Sequence, residues 1–168
     1  PCNRALAYRR TKATVDKLKA RNPDTLKKAT EKMAQNFNIF PPKFMRVPPE
    51  ESSPEPGLAN WIPLMIIPSK ERVRIVFDAA ARMGGRCLND CFLQGPDNNN
   101  ALRAVLMRFR MRPVACTADI QNMFHQFFVP PKHRTYLRFF WFEDNDYTKP
   151  SVEYYSCVHL QGLTGSPA

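Results

Sequence analysis

Six of the sixteen prolines fall between residues 41 and 57, at positions 41, 42, 48, 49, 54 and 56, and this cluster constrains the chain most. Proline lacks an amide donor and fixes φ, so neither a helix interior nor a central strand runs through such a stretch. With Ser, Glu and Gly between them, these prolines read as an extended linker over 41–60. The chain is thereby divided into a basic helical arm or connector, 1–40, and a body, 61–168.

The arm has two predicted helices. Residues 4–21 are dense in Lys and Arg. The second helix has clearer marks: Asn22 caps it, Pro23 suits its first turn and Asp24 complements its dipole. Its apolar residues Leu26, Ala29, Met33, Ala34 and Phe37 keep the helical period. Charge is unevenly spread. Residues 1–50 hold 12 Lys/Arg against 4 Asp/Glu, a net of +8, whereas 51–168 hold 13 against 11, a net of +2. A basic segment on a near-neutral body suits a polyanion such as nucleic acid, although a solvated surface accounts for the same charge. No apolar run approaches the ~20 residues of a membrane helix, so no membrane role is expected. Five cysteines at irregular spacing predict free thiols in an intracellular protein rather than a disulfide framework or a zinc site. The first residue is Pro1 rather than Met, so the chain is expected to be a piece of a longer one.

In the body, the apolar run Trp61–Ile67, the turn 68–71 and the alternation Val73–Ala79 predict a hairpin. Val73, Ile75 and Phe77 share one face; Arg74, Val76 and Asp78 share the other. Asp97 is placed to cap a helix in which Leu102, Val105, Leu106 and Phe109 share a face, away from Arg103, Arg108 and Arg110. A short strand is predicted at 114–120, a helical turn at 123–126, a strand at 136–142, a turn at 143–149 and a return strand at 152–160. Strands in antiparallel hairpins beside separate helices indicate an α+β fold.

Three groups can carry chemistry. Asp119 ends the apolar strand, and Mg²⁺ prefers one or two carboxylates plus phosphate oxygens; an isolated strand-end Asp also caps turns. Arg74 and Lys70, on the hairpin and in its turn, could clamp a triphosphate, since Arg binds phosphate bidentately and Lys acts as a flexible point charge. For Arg74 and Asp78, four apart on the polar face, with Lys70 in the turn before them, an exposed strand with a cross-strand ion pair explains the same residues. In the closing segment, Gly162 and Gly165 let the backbone approach a ligand and Gln161 can donate to a sugar or phosphate oxygen, or the segment is a plain turn.

The order and spacing of these groups are more specific than any one of them. Asp119-Ile-Gln-Asn-Met-Phe124, Val129-Pro130 and Leu160-Gln161-Gly162-Leu-Thr-Gly165-Ser166-Pro167-Ala168 resemble the palm of retroviral and LTR-retrotransposon reverse transcriptases. Val73-Arg-Ile-Val-Phe-Asp78, Cys87-Leu-Asn-Asp90, Leu93-Gln-Gly-Pro-Asp97, Arg108-Phe-Arg110, Ala118 to Gln126, and Leu137-Arg-Phe139 ahead of Trp141 are similar in wording to the Bel-Pao class. The resemblance covers about residues 60–168. It implies the fingers and partial palm of a right-hand polymerase, copying RNA into DNA by two-metal phosphoryl transfer on dNTPs with two Mg²⁺ ions.

Residue by residue, the resemblance implies that Asp119 is the first catalytic metal ligand, beside the Ile120 carbonyl. Phe124 is the gate against a ribose 2′-OH, Arg74 contacts the triphosphate and Gln161 the sugar side. The backbone amides of Asn122 and Met123 meet phosphate oxygens, Lys70 assists from the fingers turn, and Asp78 partners a nearby cation. Implied partners are an RNA/DNA template-primer and the remaining palm, thumb, RNase H and integrase of a polyprotein; the implied location is a cytoplasmic virus-like particle. The family's turn with two adjacent aspartates lies beyond Ala168. The chain alone is therefore expected to lack polymerase activity, and strand 114–120 to present a bare, aggregation-prone edge. The alternative is a non-catalytic, nucleic-acid-binding remnant of a transposable element.

Overall fold

The computed structural model describes residues 2–52, 59–69, 72–96 and 99–164. Three α-helices and two small antiparallel sheets make it a mixed α+β fold. Helix α1 spans Arg4–Arg21 and α2 spans Pro23–Phe37. The second starts as its sequence dictates: Pro23 is its first residue, and the Asn22 side-chain oxygen accepts from the Thr25 amide at 3.2 Å. Leu26, Ala29 and Met33 form its buried stripe. In α1 the buried stripe is Ala7, Thr11, Val15 and Leu18, set among the lysines and arginines. Thr11 turns its hydroxyl oxygen to the Leu64 amide, 3.0 Å away.

The predicted hairpin forms as β2 (Leu64–Pro68) and β3 (Val73–Phe77), with Leu64 opposite Phe77 and Pro68 opposite Val73. The second sheet has the order β1-β5-β4, from Phe44–Arg46, Ser151–Ser156 and Arg138–Phe142. Strand β1 lies inside the stretch expected to be linker. It holds an edge position, where neighbouring prolines leave its pairing to β5 intact. Strand β4 begins at Arg138 rather than Tyr136, because a 3₁₀ helix opening at Pro131 occupies the chain through Tyr136. The return strand ends at Ser156, and Val158 adds one bridge to Phe128.

One apolar cluster joins Val15 and Leu18 of α1, Leu26 and Met33 of α2, Phe44, Phe77, Phe139, Trp141, Tyr154 and Leu160. Residues 1–40, expected as an arm, thus share their core with the body. Beside that core lies a buried ion pair. Arg138 and Glu153 are each almost fully buried and meet at 3.3 Å. The Glu153 carboxylate also accepts from the Trp61 indole at 2.9 Å and from Arg4 at 2.6 Å. The Arg138 guanidinium donates to the Glu51 carbonyl and the Thr135 hydroxyl, and lies over the Trp61 and Tyr155 rings. Buried charges persist when paired and hydrogen-bonded in this way.

The strand expected at 114–120 is absent. Those residues are irregular and exposed, Val114 at 77% and Ile120 at 61%. A strand needs a neighbour to take its backbone hydrogen bonds, and no described strand pairs with this stretch. Helix α3 (Leu102–Phe109) does form where its periodicity predicts, but buries none of its residues. Asp97, expected to cap it, lies outside the described residues. No helix among the described residues is long and apolar enough to cross a membrane.

Candidate functional site

A cavity of about 370 Å³ opens between α2, β1, β3 and two tight turns. Strand β3 places Arg74 on its exposed face beside Ile75, Val76 and Phe77. The 3₁₀ turn Met123–Gln126 contributes Phe124 and His125, and the turn at 161–162 contributes Gln161 and Gly162. Asn122, preceding that 3₁₀ turn, adopts the left-handed conformation (φ 51°) that Asn tolerates better than most residues. Its carbonyl accepts from the His125 amide at 2.8 Å, which tightens the turn.

Four of the residues assigned from the motifs therefore meet: Arg74, Asn122, Phe124 and Gln161 line one cavity. Met123 is in the same turn but does not line it. Asp119 and Ile120 lie in the exposed stretch before the turn and do not line it either. Lys70 lies outside the described residues. Asp78 pairs with Arg10 of α1 at 2.7 Å, the structural partnership expected of it.

The remaining lining comes from residues that motif reading overlooked. Lys32, Met33 and Asn36 come from α2 and Phe44 from β1. Lys32 and Asn36 flank the apolar stripe of α2, and that flanking position was the available signal. The Lys32 ammonium donates to the Val73 carbonyl at 3.0 Å, beside Arg74. His125 stacks edge-on against Phe44. Burial, reinforced by Lys43 and Lys32, pushes its imidazole down from 6.5 to about 4, so it is neutral at pH 7.

The turn at Gln161-Gly162 is fixed by Asn89. Its side chain donates to the Gly162 carbonyl at 3.0 Å and accepts from the Thr164 amide at 3.0 Å; the Thr164 hydroxyl reaches the Asn89 carbonyl at 3.3 Å. Gly162 has φ 99°, a conformation that favours glycine. Buried Leu160 and Leu163 anchor the turn on either side.

Chemically, the cavity is cationic and partly apolar. Lys32 and Arg74 line it, and among the described residues no carboxylate does. The donor set suits an anion and does not fit a two-metal centre, which needs several carboxylates. No three His, Cys, Asp or Glu gather as a metal-holding group among the described residues, and the five cysteines are free thiols. The fold and site together define an α+β protein with a cationic, partly apolar cavity. Comparison with protein-family models, with curated proteins and with solved structures finds no match.

Proposed function

We propose that the chain contributes the fingers and part of the palm of an RNA-directed DNA polymerase of the Bel-Pao class of LTR retrotransposons. On this reading, the cavity receives the triphosphate end of an incoming deoxynucleotide. The observation that carries the reading is the convergence of Arg74, Asn122, Phe124 and Gln161 on one cavity from three separated stretches of chain. Arg74 offers a bidentate phosphate contact, Gln161 a donor to the sugar side, and Phe124 an aromatic face beneath the sugar. Template-primer is held through basic side chains by contacts to its phosphates.

Titrating the chain with a dNTP tests this. Arg74→Met should weaken binding about tenfold or more, the worth of one hydrogen bond to a charged group, and Gln161→Leu about two- to tenfold, the worth of a neutral one. Unchanged affinity in both variants would remove the nucleotide from the cavity. The absence of a carboxylate from the described lining favours a second reading, a nucleic-acid-binding remnant without catalysis. Under either reading, this chain alone binds template-primer and does not extend it. Asp119-dependent synthesis with dNTPs and Mg²⁺ would contradict both.

A further inference from the structure

The helical segment before the proline cluster reaches into the cavity. Lys32, four helical positions before Asn36, lines the cavity together with Arg74 and with residues of the two turns. Its ammonium is held by the Val73 carbonyl at 3.0 Å, which uses one of its three donors. Neither Lys32 nor Arg74 forms an ion pair with a described residue, whereas Arg4, Arg10, Arg46, Arg82, Arg138 and Lys149 all do. Two cations on one cavity wall repel each other unless an anion sits between them. The neighbouring imidazole of His125 is neutral at pH 7 and adds no charge.

We infer that Lys32 is a phosphate-binding residue, and that the cavity takes a polyphosphate directly through Lys32 and Arg74, without a metal ion. The inference deepens the nucleotide reading and rests on it for the identity of the ligand, but not for the role of Lys32. It makes α2 part of the binding site, so the basic segment acts at a defined point and not only as a diffuse attraction.

The test is calorimetric titration of the 168-residue chain with inorganic tripolyphosphate and with dTTP, both in EDTA. Lys32→Gln keeps a donor for the Val73 carbonyl and removes the charge. It should weaken tripolyphosphate binding about tenfold or more. Lys32→Arg should bind within a few-fold of the unaltered chain. Lys17→Gln, on the exposed face of α1, should change affinity less than twofold. In the unaltered chain, tripolyphosphate should also shield Lys32 from acetylation by an N-hydroxysuccinimide ester, a readout that needs no variant to fold.

Equal affinity of Lys32→Gln and the unaltered chain, an equal loss in Lys17→Gln, a requirement for Mg²⁺, or unshielded Lys32 would each overturn the inference. The two readings separate cleanly. Lys32-dependent tripolyphosphate binding with no preference for dTTP, and no effect of Phe124→Ala or Gln161→Leu, keeps Lys32 and removes the nucleotide. Binding of dTTP that needs Arg74 and Gln161 but not Lys32 does the reverse.

Discussion

Two stretches of this chain carry similar apolar patterns and reach opposite ends. In β4, Phe139, Phe140, Trp141 and Phe142 are all buried, with Phe139 at 0% exposure. Between residues 101 and 122, Leu102, Val105, Leu106, Phe109 and Ile120 are all exposed, although α3 displays its apolar face as regularly as any helix here. Strand β4 has β5 along one edge and α1 over it. No described strand pairs with residues 101–120, and α3 buries none of its residues. Periodicity decides which face a segment would bury; a neighbouring element decides whether it does.

The sharpest way to break the comparison is at the buried ion pair that ties α1, β4 and β5 together. Glu153→Ala leaves the Arg138 guanidinium buried without its carboxylate, and should destabilise the fold by about 3–5 kcal/mol in urea unfolding. A loss under about 1 kcal/mol would mean this region is held no more firmly than the exposed stretch.

The next effect is pH-dependent. His125 is held neutral in the fold, its value depressed to about 4 against 6.5 for the free group. Between those values the unfolded chain binds the extra proton and the folded chain does not. The stability contribution is therefore complete above about pH 6.5 and declines as pH falls toward 4. Its size is on the order of 2 kcal/mol, after allowance for the partial exposure of the ring. Urea midpoints across this range should slope in the unaltered chain and flatten in His125→Leu. The carboxylates Asp90, Asp144 and Asp146, held below their ordinary value, lose their contribution only as pH falls below about 5, so the His125 slope is read above that point.

A local effect comes third. Asn89→Ala removes the clamp on the 161–164 turn and should lower stability by about 1–2 kcal/mol. Hydrogen exchange should quicken at the Thr164 amide more than at strand β4. Uniform exchange across both would show that the turn opens only with the whole fold. The smallest effect belongs to the exposed helix: Leu106→Ala should stay within about 0.5 kcal/mol of the unaltered chain. A larger loss would show that α3 is covered in solution.

Legibility followed the range of the signals. Helix α2 was readable because Asn22 and Pro23 act on the backbone within one turn of themselves. The β2–β3 hairpin was readable because alternation and turn residues are equally local. Helix α1's buried stripe was not, since Ala7 and Thr11 resemble surface residues until the Leu64 amide needs an acceptor. Strand β1 was hidden inside a proline-rich stretch, and the strand expected at 114–120 lacked the partner that its apolar residues did not specify. Within the cavity, Arg74, Asn122, Phe124 and Gln161 stood in recognisable runs. Lys32 and Phe44 stood in none, and only packing brought them there; His125 and Asn89 stood inside such runs without an assigned role, and packing showed His125 in the cavity lining and Asn89 holding the Gly162 turn.

By itself the sequence determined helix α2, the β2–β3 hairpin, the separation of charge between residues 1–50 and 51–168 and the residue types able to meet a phosphate. These depend on backbone sterics, side-chain period and chemistry within a few residues. Tertiary structure alone decided that the basic helices belong to the core, that Lys32 stands beside Arg74, and that Asp119 lies outside the cavity. Those outcomes depend on which distant segments find each other, and burial and ion pairing are settled only when they do.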